Sequence, residues 1–353
     1  MTPVPATLLA GVPAPRIARL STLQSQNEAP REGILRIDGP VSLHHGGTLD
    51  SLQIGWSLGG SPGQPVVLAL GGISASRQVF DPAGGRNGWW SEIVGPGKAL
   101  DTQRVAVLGM DYIGGSGGSS GPAAGGSFPS ISSYDQAEAI VRLLDHLQIP
   151  KLAAIVGASY GGMVALAFGE RFPARVERLI VISAADTPHP MATAWRSVQR
   201  NIARLGLAAG CSREALELAR ALAMSTYRSP EEFVARFRAA PRMEGGRPVF
   251  PVEEYLQARG RDYAQRTRPE SFICLSESID LHQVNATCVA VRTEVVAVRE
   301  DQLVPIADMR ALTARLPDAR LHEFSSLMGH DAFLKEADPM RAVLSLIYPG
   351  DPT

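Results

Sequence analysis

Residues 156–162 read Val-Gly-Ala-Ser-Tyr-Gly-Gly and join an apolar run, 152–156, to an amphipathic one, 161–171. Glycines flanking a serine at a strand-to-helix turn let the chain reverse sharply and hold the serine in strained geometry, with its hydroxyl above the sheet. This context constrains the fold more than the five-residue pattern does. Residues 114–118 and 117–121 also match Gly-x-Ser-x-Gly. Neither precedes a helix, because Gly121, Pro122, Gly125 and Gly126 break any helical period. Ser159 is therefore the candidate nucleophile.

Around it, short runs rich in Val, Ile and Leu recur at 65–70, 104–110, 151–156 and 178–183. Such runs mark strands buried on both faces, as in a parallel sheet covered by helices. Residues 134–147 carry apolar side chains at helical spacing, with Ser132 and Ser133 as candidate caps. The alternation predicts an α/β fold with a doubly wound, mostly parallel sheet. Residues 35–56, broken at Gly46-Gly47, predict one or two antiparallel strands at its edge. From 186 to 285 the pattern is mostly amphipathic helix (195–207, 213–224, 231–237 and 252–266), which predicts a helical lid inserted into a core of residues 31–185 and 286–353. The core resumes with a strand at 293–298, a helix at 306–316, a strand at 320–324 and a last helix at 338–347. The Pro/Ala/Ser-rich residues 1–30 are expected to form a mobile arm.

Charge narrows the function. Lys and Arg number 34 against 35 Asp and Glu, so neither nucleic acid nor an anionic membrane is an expected partner. No apolar stretch approaches the roughly 20 residues that span a bilayer, and no secretory leader is apparent. The three cysteines lack the spacing of a zinc site or a disulfide frame. A cytoplasmic protein without a metal is the expectation.

A serine hydroxyl needs an imidazole to take its proton and a carboxylate to hold that imidazole's tautomer. With a nucleophile on a strand-to-helix turn, the chain order is serine, acid, histidine. Of seven histidines, His330 follows the last predicted strand in a loop, whereas His322 lies within that strand. Asp301 ends the strand at 293–298, with Glu300 as its rival. The oxyanion is expected on the N–H groups of Tyr160 and of Ile73, which follows Gly71-Gly72. The glycine-rich residues 114–126 lack the spacing of a phosphate cradle.

Residues 88–90 (Gly-Trp-Trp), 95–98 (Gly-Pro-Gly-Lys), 118–122 (Gly-Ser-Ser-Gly-Pro), 128–129 (Phe-Pro), 226–229 (Thr-Tyr-Arg-Ser), 301–305 (Asp-Gln-Leu-Val-Pro) and 329–334 (Gly-His-Asp-Ala-Phe-Leu), with the Gly161-Gly162-Met163 that follows the elbow, resemble the homoserine O-acyltransferases of the α/β-hydrolase superfamily. The resemblance implies Ser159, Asp301 and His330 as the triad. It implies acyl-CoA as co-substrate with no bound cofactor, and L-homoserine as acceptor in methionine biosynthesis. It places Arg228 and Asp331 on the acceptor's carboxylate and ammonium, and a homodimer through the lid. L-Serine as acceptor, or ester and thioester hydrolysis on the same triad, are the alternatives. Three places depart from the family pattern: Leu327-Met328 precedes Gly329, where a Ser-x-Tyr-like run is usual, and two others touch the acyl pocket. The loop at 71–77 reads Gly-Gly-Ile-Ser-Ala-Ser-Arg, and Tyr160 stands where methionine is frequent. Arg77 is thereby a candidate contact for the carboxylate of a succinyl donor.

Overall fold

The computed structural model describes residues 30–348, except 84 and 86. The arm expected over residues 1–30 lies, but for residue 30, outside the described residues.

Eight strands form one sheet: β1 (Arg31–Ser42), β2 (Thr48–Gly59), β3 (Val66–Leu70), β4 (Ala106–Met110), β5 (Ala154–Ala158), β6 (Leu179–Ile182), β7 (Thr293–Val298) and β8 (Ala319–Phe324). Their order across the sheet is β1-β2-β4-β3-β5-β6-β7-β8. β2 pairs antiparallel with β1 and with β4, and every later pairing is parallel. The edge hairpin turns where Gly46 and Gly47 adopt φ of 85° and 84°, a region closed to most side chains. The central strands β4 to β7 are buried along their whole length, which explains their unbroken apolar runs.

Helix α1 (Ser133–His146) starts at a capping box in which the Ser132 hydroxyl and the Asp135 carboxylate satisfy each other's backbone. Helix α2 (Tyr160–Arg171) begins one residue after Ser159. Both pack on one face of the sheet, in a core that includes Leu144, Phe168 and Val295. The opposite face is covered by the segment around Trp90 and by the C-terminal residues Met340 and Leu344.

Between β6 and β7 run α3 (Pro190–Ala209), α4 (Ser212–Tyr227), α5 (Pro230–Phe237), α6 (Pro251–Ala264) and α7 (Pro269–Asp280). Four of them carry proline in the first turn, where its missing N–H costs nothing. Ala203, Leu216, Ala219, Tyr263 and Phe272 give this layer a small core of its own. A two-stranded hairpin, Arg242–Glu244 with Arg247–Val249, connects α5 to α6. Helix α8 (Ile306–Arg315) follows β7, and α9 (Ala337–Leu344) comes near the end of the described residues. No helix among the described residues is long and apolar enough to cross a membrane.

Candidate active site

Ser159 lies between β5 and α2 with φ of 55° and ψ of −122°, a strained conformation for a residue other than glycine. The neighbours dictate it. A Cβ on Gly157 would stand 2.2 Å from the Gly161 carbonyl oxygen, and one on Gly161 would stand 2.4 Å from that of Leu70. Only glycine lets strand, turn and helix approach this closely.

The serine hydroxyl lies 2.8 Å from His330 Nε2, and His330 Nδ1 lies 2.7 Å from Asp301 Oδ2. His330 occupies a short 3-10 turn, Gly329–Leu334, after β8, and Asp301 follows β7. The two oxygens of Asp301 divide their work. Oδ1 accepts the N–H groups of Leu303 and Val304, which locks the turn, while Oδ2 faces the imidazole. Glu300 instead accepts the Ser326 N–H, and His322 meets the buried Glu294. Burial disfavours the imidazolium of His330, and Arg196 opposes it too, but the carboxylates of Asp301 and then Asp331 outweigh both and raise its pKa above 6.5.

The Tyr160 N–H belongs to the first turn of α2, whose amides have no partner within the helix. The loop after β3 passes close by, since a Cβ on Gly72 would lie 3.9 Å from the Ser159 Cβ. Two donors hold that loop. The Tyr112 hydroxyl and the Gly161 N–H reach the Gly71 carbonyl at 2.6 and 3.0 Å. Tyr160 extends its phenol into the lid, 2.5 Å from the Ser278 hydroxyl on α7.

Ser159 and His330 open into a chamber of about 360 Å³ roofed by the lid. Ile73 and Asp331 also line it, together with Arg196 of α3 and Arg220 of α4. Arg220 is a cation of the chamber wall that the sequence does not single out. Its guanidinium donates to the Tyr227 hydroxyl at 3.2 Å and lies 4.6 Å from the Tyr263 ring centre. Burial opposes its charge, but Tyr227, Tyr263 and Asp331 outweigh burial and keep it protonated. Arg196 shares the Asp280 carboxylate with Arg200, and the chamber wall itself carries three arginines against one aspartate.

Two of the candidates stand outside the chamber wall. Arg228 is absent from the chamber wall. It caps the end of α4 in an extended conformation, and its Nε pairs with Asp331 Oδ2 at 3.1 Å. The Arg228 carbonyl instead accepts the Gln302 side chain, and Ser229 N–H meets the Leu327 carbonyl, so this corner ties the lid to both triad loops. Arg77 does not line the chamber either. It pairs with the buried Asp111 at 2.7 Å, and Asp111 also accepts the Gly118 N–H. The other two serines in Gly-x-Ser-x-Gly patterns are structural. Ser116 accepts the Arg268 N–H, and Ser119 bridges Asp111 and Gly55.

Residues 65–337 match the family described as the alpha/beta hydrolase fold. The chain is 42% identical over 307 residues to a homoserine O-succinyltransferase of Xanthomonas campestris pv. campestris, covering 86% of this chain and 81% of that protein. The chain belongs to the homoserine O-acyltransferases. A homoserine O-acetyltransferase of Thermus thermophilus is 34% identical over 305 residues, covering 78% of this chain and 75% of its own length. In three dimensions the crystal structure of homoserine O-acetyltransferase from Bacillus anthracis superposes with a TM-score of 0.81 at 17% identity, over 91% of this chain and 98% of that one. That likeness carries the fold alone. Within the family fold, this member presents its serine to a chamber with three arginines on the lid side, Arg196, Arg220 and Arg266, and one aspartate beside the histidine.

Proposed function

We propose that this enzyme moves a succinyl group from succinyl-CoA to the hydroxyl of L-homoserine through an acyl-serine intermediate. The observation that carries the reading is the hydrogen-bonded line from Asp301 through His330 to Ser159, opening on a chamber that holds Arg220 and Asp331. His330 takes the proton of Ser159 as its Oγ attacks the thioester carbon. The oxyanion forms against the N–H groups of Tyr160 and Ile73. The C–S bond then breaks, and CoA leaves as a thiol with that proton. Homoserine enters, its hydroxyl gives its proton to His330, and its oxygen attacks the acyl carbon. The Ser159 ester breaks, and the serine recovers the proton. The product is an O-acylhomoserine, an intermediate suited to methionine biosynthesis because its acyloxy group can leave.

Arg220 suits the acceptor's carboxylate, and the Asp331 carboxylate suits its ammonium. A guanidinium binds a carboxylate through paired N–H donors. Arg196 stands at the same wall and serves the free carboxylate of a succinyl group, a contact that an acetyl group cannot make. The 42% identity to a succinyltransferase supports the same donor. For a CoA-dependent reaction the expected compartment is the cytoplasm. For Arg196→Ala, assayed with both donors, succinyl-CoA turnover should fall about 10- to 100-fold relative to acetyl-CoA, the scale of a lost charged contact. An unchanged donor ratio would remove Arg196 from this role. Products identified by mass decide the acceptor: O-succinylserine, or free succinate alone, would replace homoserine transfer by one of its alternatives.

The homodimer is part of the same proposal. Met191, Val198 and Leu205 are exposed on α3 at seven-residue spacing, the spacing at which helices pair through an apolar seam. Leu205→Glu should convert a dimer to monomer in sedimentation velocity. A wild-type protein that sediments as a monomer would rule the dimer out.

A further inference from the structure

The imidazole of His330 bridges two strands that are not neighbours. Its Nε2 meets Ser159 after β5, and its Nδ1 meets Asp301 after β7. β6 runs between those strands and pairs with both. The triad therefore spans the end of β6. Ser183 is the first residue past that end. Backbone bonds tie this point to either side. The Ser159 N–H donates to the Ile182 carbonyl at 2.9 Å, and the Ser183 N–H donates to the Val296 carbonyl at 3.0 Å. Ser159, Ser183 and His330 all belong to the wall of one chamber.

Two features set Ser183 apart. Its φ is 48°, in the left-handed region that is costly for residues other than glycine. Its hydroxyl is also buried without a partner. The residue is 1% exposed, and its Oγ is sealed from solvent with no hydrogen bond to it among the described residues. Strain and an unpaired buried hydroxyl at one residue are costs that mark a functional position. The sealing decides what kind of partner serves it. A substrate in the chamber does not reach Oγ, so the partner is a protein group other than an N–H or O–H. The imidazole carries one. Between its two nitrogens lies Cε1–H. Because Nδ1 faces Asp301 and Nε2 faces Ser159, Cε1–H points into the interval between them, where β6 ends.

We infer that Ser183 is a positioning residue whose hydroxyl oxygen accepts the Cε1–H of His330. The inference rests on the acyl-serine reading given above, and it holds for any donor or acceptor. A C–H donor on an aromatic ring strengthens when the ring becomes a cation. His330 becomes an imidazolium when it takes the proton of Ser159, and again when it takes that of the acceptor hydroxyl. The contact therefore favours the states that the reaction passes through over the resting one. Other groups already act on this charge. Asp301 after β7 and Asp331 on the same turn favour it, Arg196 of α3 opposes it, and the Tyr227 ring at the end of α4 lies 5.9 Å away. Ser183 adds a neutral dipole from β6.

Two variants test the assignment. Ser183→Ala removes the hydroxyl at the strained φ, and Ser183→Gly removes hydroxyl and strain together, so the second decides if the first fails to fold. Each is read in two ways: the pH profile of kcat/KM with succinyl-CoA and homoserine, and the Cε1–H resonance of His330 in protein labelled with ¹³C-histidine, assigned by its loss in His330→Asn. In both variants the acid limb should move to lower pH and the resonance should move upfield. The kcat should fall about two- to fivefold, the scale of one C–H···O contact, with KM unchanged. An acid limb or a resonance that stays in place in Ser183→Gly overturns the assignment. So does a raised KM with kcat preserved, which would give the hydroxyl to the substrate. A wild-type profile with no acid limb overturns the acyl-serine reading itself, and the assignment with it.

Discussion

The Asp301 carboxylate binds with both oxygens, and both bonds bear on catalysis. One fixes the turn that follows β7 and the other fixes the imidazole. The charge also sets the pH at which the enzyme works. His330 acts as a base only when neutral, and its pKa is held above the ordinary 6.5. Acylation should therefore rise with pH and reach its plateau above the range of a free imidazole. The same sign holds for stability: the bond to protonated His330 contributes at low pH and is lost as pH rises through the raised value. In Asp301→Asn the acid limb of kcat/KM should move downward while the plateau rate falls by about 10⁴, as for the corresponding change in serine proteases. An acid limb that stays in place would detach the carboxylate from the titration. At this scale the sequence was informative where sterics decide. The crowded glycines around Ser159 leave one turn geometry, and that geometry is legible from residue type. It was less informative for charge. The family motif at 226–229 draws attention to Arg228 and not to Arg220, eight positions earlier within α4. A usable signal was present: Arg220 sits among Leu216, Ala219 and Ala223 on the buried stripe of α4, where an unneeded arginine is costly.

At the scale of elements, α7 connects catalysis to the lid. Ser278 on α7 holds the Tyr160 phenol, Tyr160 packs edge-on against Tyr112 at 5.0 Å, and Tyr112 holds the Gly71 carbonyl. Burial drives the phenol pKa of Tyr112 upward, so its hydroxyl remains a donor across the working range. The chain of contacts spans lid, elbow and oxyanion loop, and makes Tyr112 a positioning residue. Tyr112→Phe should lower kcat about tenfold, the scale of one hydrogen bond of roughly 1–1.5 kcal/mol, with KM for either substrate little changed. A rise in KM with kcat preserved would assign Tyr112 to binding. Helix α7 was also the element missed in the sequence. Its buried positions include Ser271, Ser276 and Ser278, so the face turned inward is partly polar and its apolar period is weak. The central strands, buried on both faces, gave the opposite case and were read within a few residues.

Across the whole molecule, the sheet brings together residues distant in the chain, and the lid decides what reaches them. β5, β7 and β8 deliver serine, acid and histidine to one rim, while α3 and α4 add Arg196 and Arg220 from above. A strand order and a triad are shared with hydrolases. In the proposed mechanism the lid cations and the roofed chamber favour an amino-acid acceptor over water. This division was only half legible beforehand. Core topology follows from periodicity, but the inward faces of lid helices depend on tertiary packing that no local pattern encodes. The central claim is that the acyl group resides on Ser159 between the two half-reactions. Mixing the enzyme with succinyl-CoA in the absence of homoserine should release one equivalent of CoA in a burst and leave a succinyl mass on the peptide bearing Ser159, removed on adding homoserine. Ser159→Ala should show neither, with turnover reduced on the order of 10⁶-fold. A wild-type enzyme that makes product without a burst, or Ser159→Ala retaining near-normal turnover, would contradict the account.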